Sequence, residues 1–118
     1  MTIPKFEEMM LPLLKFLNDG RKHDISEAEE SLASLFHLSE EERKMEKPSG
    51  KETLFHNRIH WAKFYLKKAY LLEGPSRSSF KITSRGMSVL KENPKKFGIE
   101  YLKKFQEFSD FANRKKSK

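Results

Sequence analysis

Apolar residues recur at spacings of three and four from the first residues of the chain. Phe6, Met9, Met10, Leu13, Leu14 and Leu17 form such a stripe, as in a helix with one buried face. It predicts a first helix over about Pro4 to Asn18, led in by Thr2 or Ile3 and ended by Asp19-Gly20. Pro12 lies inside the stripe. A proline there removes a ladder hydrogen bond, so a kink or a late helix start is expected. Arg21 to Ile25 reads as a short connector or strand. Ser26-Glu27-Ala28-Glu29 spells a capping box, after which a second helix turns Ala28, Leu32, Leu35 and Phe36 inward and ends near His37-Leu38. Ser39-Glu40-Glu41-Glu42 is a second box, opening a short helix to about Glu46 with its glutamates at the positive helix start. Lys47-Pro48-Ser49-Gly50 is the clearest break in the chain.

The longest amphipathic segment follows, from Lys51 or Glu52 to Ala69. Leu54, Phe55, Ile59, Trp61, Ala62, Tyr65, Leu66 and Ala69 gather on one side of it. His56, Asn57, His60, Lys63, Phe64 and Lys67 take the other. Arg58 falls among the apolar positions, either as a buried-stem arginine with a partner or as a rim residue. Tyr70 to Glu73 and Ser79 to Thr83 read as short strands around the turn-rich Gly74-Pro75-Ser76-Arg77-Ser78, so a β-hairpin is predicted. Thr83 or Ser84 caps a fourth helix over Ser84 to Glu92, with Met87 and Leu90 inward and Asn93-Pro94 as its stop. A last helix, about Gly98 to Asn113, places Ile99, Leu102, Phe105 and Phe108 on one stripe with Tyr101 and Phe111 nearby. Residues 114–118 are expected to fray.

Three helices, a hairpin and a further helix, with the longest helix directly before the hairpin, is the order of a winged helix-turn-helix. In that mainly α fold the third helix enters the major groove of duplex DNA and the hairpin lies along the backbone. The predicted division is a winged-helix core over 1–96, an aromatic C-terminal helix over 97–113, and a basic disordered end over 114–118. Winged helices also serve as protein-interaction modules, and the fold alone does not choose.

Charge sharpens the choice. The 118 residues carry a net +7. Residues 1–50 hold 7 Lys/Arg against 11 Asp/Glu, whereas residues 51–118 hold 17 against 6. The segment 51–94 alone has 9 basic and 3 acidic groups, so the lysine-rich end does not account for the imbalance. One face built for a polyanion is the reading this supports. The chain has no cysteine, which removes disulfides and thiolate zinc sites and fits a reducing cytoplasm. No apolar run approaches ~18 residues, so a membrane-spanning helix is not expected.

Particular stretches resemble the N-terminal domain of Mrr-type restriction endonucleases. They are Ile3 to Leu14, then Leu38-Ser39-Glu40-Glu41-Glu42-Arg43, and then Pro48-Ser49-Gly50-Lys51. The strongest runs from Phe55 to Ala69, with Phe-x-Asn-Arg, an aliphatic, x-Trp-Ala and Tyr-Leu-x-x-Ala; Leu71-Leu72-Glu73 and Phe80 to Gly86 continue it. The resemblance spans about residues 3–105. It implies a DNA-reading module that precedes a nuclease domain in enzymes that, in modification-dependent members, cut methylated DNA. The nuclease half of that family uses a PD-(D/E)xK metal site, for which this chain has no room. Its one ExK triplet, Glu42-Arg43-Lys44, lies in a predicted helix without a strand-borne aspartate. The chain is therefore expected to be a non-catalytic reader without cofactor or metal, excised from a longer enzyme or standing alone.

Such a reader would bind double-stranded DNA, methylated or not. Ser49, Gly50 and Thr53 are expected at the start of the third helix, where free amides favour a phosphate. Lys51, Lys63 and Lys67, with Ser76, Arg77, Ser78 and Lys81 of the hairpin, are the expected phosphate contacts. His56, Asn57 and His60 are the expected base readers, although Asn57 can equally brace the preceding turn. The two histidines are one turn apart but lack a third metal ligand; near a polyanion they should tighten binding below pH ~6.5. Phe64 points away from the stripe, to pack under the last helix or to stack on DNA. The alternative function is a dimerisation or partner-docking module. It rests on Phe97, Tyr101, Phe105, Phe108 and Phe111, which exceed what one stripe usually buries.

Overall fold

A computed structural model describes residues 3–74 and 79–116. In order they form α1 (Phe6–Phe16), a 3-10 turn (Leu17–Asp19), β1 (His23–Asp24), α2 (Ile25–Leu35), α3 (Glu40–Lys44) and α4 (Leu54–Lys68). Then come β2 (Leu72–Glu73), β3 (Ser79–Ile82), α5 (Ser84–Glu92), α6 (Ile99–Leu102) and α7 (Gln106–Lys116). The architecture is mainly helical with one small antiparallel sheet.

Helix α1 takes the late start. Lys5 is extended, and its N–H donates to the Glu8 carboxylate at 2.8 Å. Pro12 is then absorbed inside the helix without ending it. The cap of α2 lies two residues earlier than Ser26. Asp24 leaves β1 in extended geometry and its carboxylate accepts the Glu27 N–H, while Glu27 reaches back to the Asp24 N–H, both at 2.9 Å. The helix thus begins where the strand ends, and its phase turns Leu35 out to 57% exposure while Ala33 goes in. The Ser39 box forms as read, although α3 stops at Lys44. Thr83 caps α5, and Asn93 ends it in left-handed geometry. Gly86 and Val89 are the buried residues of α5, with Met87 and Leu90 half-buried beside them.

The sheet has strand order β1-β3-β2. His23 stands opposite Phe80, and Leu72 stands opposite Ile82. The hairpin is shorter than predicted because Tyr70 and Leu71 are used to close α4. Tyr70 adopts φ 62°, and the Leu71 N–H donates to Leu66 O at 3.0 Å.

The core sits where α1 crosses α4. Met9, Met10, Leu13, Leu14, Phe55, Ile59 and Leu66 are at most 1% exposed, and full burial of such a side chain contributes about 1.5–3 kcal/mol. Trp61 is not among them. At about 100° per residue it lies roughly 120° from the middle of the buried stripe, and 39% of it is exposed.

The predicted last helix is two helices. After α6 the chain turns at Lys103 to Phe105, where Ser109 Oγ donates to Lys103 O at 2.5 Å. Helix α7 continues to Lys116, so the backbone does not fray at 114. Leu102 and Phe108 are buried, and Phe97, Tyr101, Phe105 and Phe111 pack half-buried against the same core. The surplus of aromatics therefore finds cover inside this chain.

Candidate nucleic-acid interface

The turn before α4 folds back on itself. Glu46 bridges Thr53, Lys47 N–H donates to Glu52 O, and Gly50, at φ 71°, donates its N–H to Lys47 O at 2.8 Å. Ser49, Gly50 and Lys51 thus lie on an exposed turn ahead of the helix, not at its first amides. Those amides are engaged. Leu54 N–H donates to Met45 O at 2.8 Å, His56 N–H to Thr53 Oγ1 at 3.1 Å, and Asn57 N–H to Thr53 O at 3.0 Å. With three of its first four amides partnered, this helix start has less to offer a phosphate than an uncapped one. Thr53 acts as the cap.

Two of the expected base readers also have structural work. His56 Nδ1 lies 2.9 Å from the Glu29 carboxylate of α2, and Asn57 Nδ2 donates to Glu52 at 3.3 Å. Lys47 stands 3.7 Å from the same Glu52 oxygen, so Asn57 takes the turn-bracing role. Arg58 is the arginine with a partner: its Nη1 donates to Ile3 O at 2.6 Å and Pro4 O at 3.1 Å. Phe64 packs under the last helix, its ring 5.7 Å from that of Phe111.

What remains on one flank of α4 is His60, Lys63 and Lys67, at spacings of three and four. Lys63 lies with its ammonium 5.3 Å from the Phe80 ring centroid on β3, a cation–π contact that ties the helix to the sheet. Lys81 follows on the same strand, half-buried and across from Glu73. Among the described residues none of Lys63, Lys67 and Lys81 has an acidic group within ion-pair distance. Desolvation, then Lys67, lowers the Lys63 pKa below its ordinary value. Desolvation lowers that of His60 as well, reinforced by Lys63 and His56 and opposed by Glu52. The flank is thus a patch of positive field, and His60 takes its proton below the ordinary 6.5 rather than at it. Beside it an open groove of about 650 Å³ runs between α4 and β2, lined by Phe64, Lys67, Lys68, Tyr70, Leu72 and Glu73, among others.

Ser76, Arg77 and Ser78 lie outside the described residues. No group of three His, Cys, Asp or Glu with metal-binding geometry occurs among the described residues. Arg43 of the ExK triplet is turned to Glu30 at 2.5 Å. Sequence reasoning missed Lys68, whose ammonium stands 5.3 Å from the Phe64 centroid and 5.1 Å from that of Phe111. Its phase on the helix signalled a lysine outside the stripe, but not the ring pair beneath it. No described helix is long and apolar enough to cross a membrane.

No curated protein and no solved structure gives a significant match to this chain. The family model of the Mrr N-terminal domain matches residues 6–92, which run from the first residue of α1 to the last of α5. That match takes in every strand, the His60–Lys63–Lys67 flank and the core beneath it, so the chain belongs to the Mrr N-terminal domain family.

Proposed function

We propose that this chain is a non-catalytic DNA-binding domain, the target-reading part of an Mrr-like restriction system. In this reading the fold is a winged helix-turn-helix. Helix α4 enters the major groove, and the β2–β3 hairpin lies along the backbone. The first strand pairing on the second strand of the hairpin supports that reading, and the Lys63–Phe80 contact ties that strand to α4. The observation that carries the function is the flank of His60, Lys63 and Lys67, cationic and without an acidic group within ion-pair distance of its lysines among the described residues. Lys63, Lys67 and Lys81 take phosphates, which position the domain without reading sequence. His60 is the exposed polar side chain of the flank that can address a base edge. The protein-interaction alternative has less support, since Phe108 is buried and Phe97, Tyr101, Phe105 and Phe111 pack half-buried on the core of their own chain.

The test is a titration of methylated and unmethylated duplexes at two salt concentrations, with wild type and with Lys63→Glu/Lys67→Glu. Wild type should bind, with log K falling by about 0.9 per phosphate contacted. The double reversal should bind far more weakly and with a shallower salt slope. A variant that binds like wild type removes this face from the interface.

A further inference from the structure

Among the described residues the large apolar side chains left exposed are Leu35, Met45, Trp61 and Tyr70. Of these, Trp61 lies within α4. Its ring is backed on the protein side. The indole centroid stands 5.4 Å from that of Phe64, in a T-shaped pair, and 5.9 Å from that of Tyr65, on which it stacks. Those two rings are held in turn. Tyr65 stacks on Phe6 of α1 at 5.3 Å, and Phe64 meets Phe111 of α7 at 5.7 Å. Two aromatic neighbours thus seat the indole, and 39% of the residue still stays open.

The open part belongs to the same side of α4 as the cationic flank. Trp61 follows His60, and both are exposed. Phe64 stands four residues after His60 and three after Trp61, so it lies on the face between them. Lys67, exposed as well, is three residues further on. At about 100° per residue, Lys67, His60 and Trp61 leave the helix within an arc of about 120°. That arc turns away from the buried stripe of Phe55, Ile59, Ala62 and Leu66.

Trp61 carries no charge and so adds nothing to the electrostatic hold on phosphates. What it offers a base edge is apolar surface. In the major groove thymine presents its C5 methyl group, and apolar side chains are what meet it. A methyl on C5 of cytosine stands in the same place. We infer that Trp61 is a specificity-determining residue of the DNA face, its indole taking a pyrimidine C5 methyl beside the base edge that His60 addresses. The inference rests on α4 entering the major groove, as proposed above, and adds the group by which that helix tells pyrimidines apart. A purely packing role for Trp61, on Phe64 and Tyr65, predicts lower stability and the same change of affinity on every duplex.

The experiment takes the duplex that wild type enriches from a random-sequence pool. It is rebuilt with uracil in place of thymine and, separately, with 5-methylcytosine in place of cytosine. Each duplex is titrated with wild type, Trp61→Ala and Lys63→Glu/Lys67→Glu. Trp61→His keeps a ring beside Tyr65 should the alanine variant fail to fold. Wild type should prefer a methyl-bearing duplex to its methyl-free counterpart by about fourfold for each methyl buried. A preference for thymine over uracil names thymine as the source, and one for 5-methylcytosine over cytosine names the modified base. Either preference should vanish in Trp61→Ala and Trp61→His at an unchanged salt slope, because no phosphate contact is lost. The lysine reversal should weaken binding to every duplex and keep the preference. Emission of Trp61, the only tryptophan of the chain, should change when wild type is saturated with duplex. Wild-type binding that ignores both methyl groups overturns the inference. So does a preference that survives loss of the indole, or an emission that duplex leaves unchanged. In each of those cases weaker binding by the lysine reversal still upholds the main reading. A wild type that binds no duplex removes both readings together.

Discussion

Gly86 offers the sharpest test of the packing. It is buried in the first turn of α5, where alanine ordinarily stabilises a helix by about 1 kcal/mol over glycine. A Cβ at this position would stand 2.2 Å from the Leu71 carbonyl oxygen and 2.6 Å from Ile82 Cγ1. Carbon–oxygen contacts settle near about 3.3 Å, so α5 would have to withdraw by roughly 1 Å. The carbonyl cannot simply yield, because it accepts the Thr83 N–H at 3.0 Å in the turn that caps α5. Overpacking costs about 1–3 kcal/mol, and loss of that hydrogen bond adds about 1 kcal/mol. After the propensity gain, Gly86→Ala should destabilise by roughly 2 kcal/mol. For a domain of this size that lowers Tm by about 8 °C in a thermal melt followed by circular dichroism. Gly50→Ala is the comparison. No atom lies within 4 Å of its added Cβ, so only its positive φ opposes the change, at about 1 kcal/mol. A Gly86→Ala protein that melts at or above the wild-type temperature would refute the assigned contact between α5 and the end of α4.

Arg58→Ala should destabilise by about 1.5–3 kcal/mol in urea unfolding, through two charge-assisted bonds to the N-terminal segment. Duplex affinity of the folded variant should stay within about twofold of wild type, and a large loss of affinity with intact stability would make Arg58 a DNA contact instead. His23 predicts a pH dependence. Burial by itself lowers its pKa, but Asp19 at 2.9 Å and then Glu27 outweigh burial and raise it above the ordinary 6.5. The fold therefore favours the protonated ring, a contribution complete below about pH 6.5 and lost as pH rises through the raised value. His23→Gln should be clearly less stable than wild type at pH 6 and close to it once that value is passed, and a gap that does not shrink on raising the pH would sink the assignment.

Much of the local architecture was legible because it is set by near neighbours. The Ser39 box, the Thr83 cap and the stop at Asn93 each involve residues three or four apart, so short sequence patterns specify them. The cap of α2 fell two residues before the expected Ser26. Asp24-Ile25-Ser26-Glu27 satisfies the box as well as the tetrad two residues later, and β1, pairing with a strand far along the chain, decided for Asp24. The last helix was misread for a related reason. Its apolar spacing continues through Lys103 to Phe105, but the chain turns there so that Leu102 and Phe108 can both reach a core already shaped by α1 and α4.

The candidate site divides along the same line. By itself the sequence determined the amphipathic α4, the family, and an acidic first half before a basic second one, since these follow from residue order alone. Only the tertiary structure decided which polar residues of α4 are free. His56 is engaged by Glu29, 27 positions away, and Arg58 by Ile3, 55 away. Periodicity sets the direction in which a side chain leaves its helix. What it meets there depends on which elements pack alongside, and that is why His60, Lys63 and Lys67 emerge as the open flank while their equally polar neighbours do not.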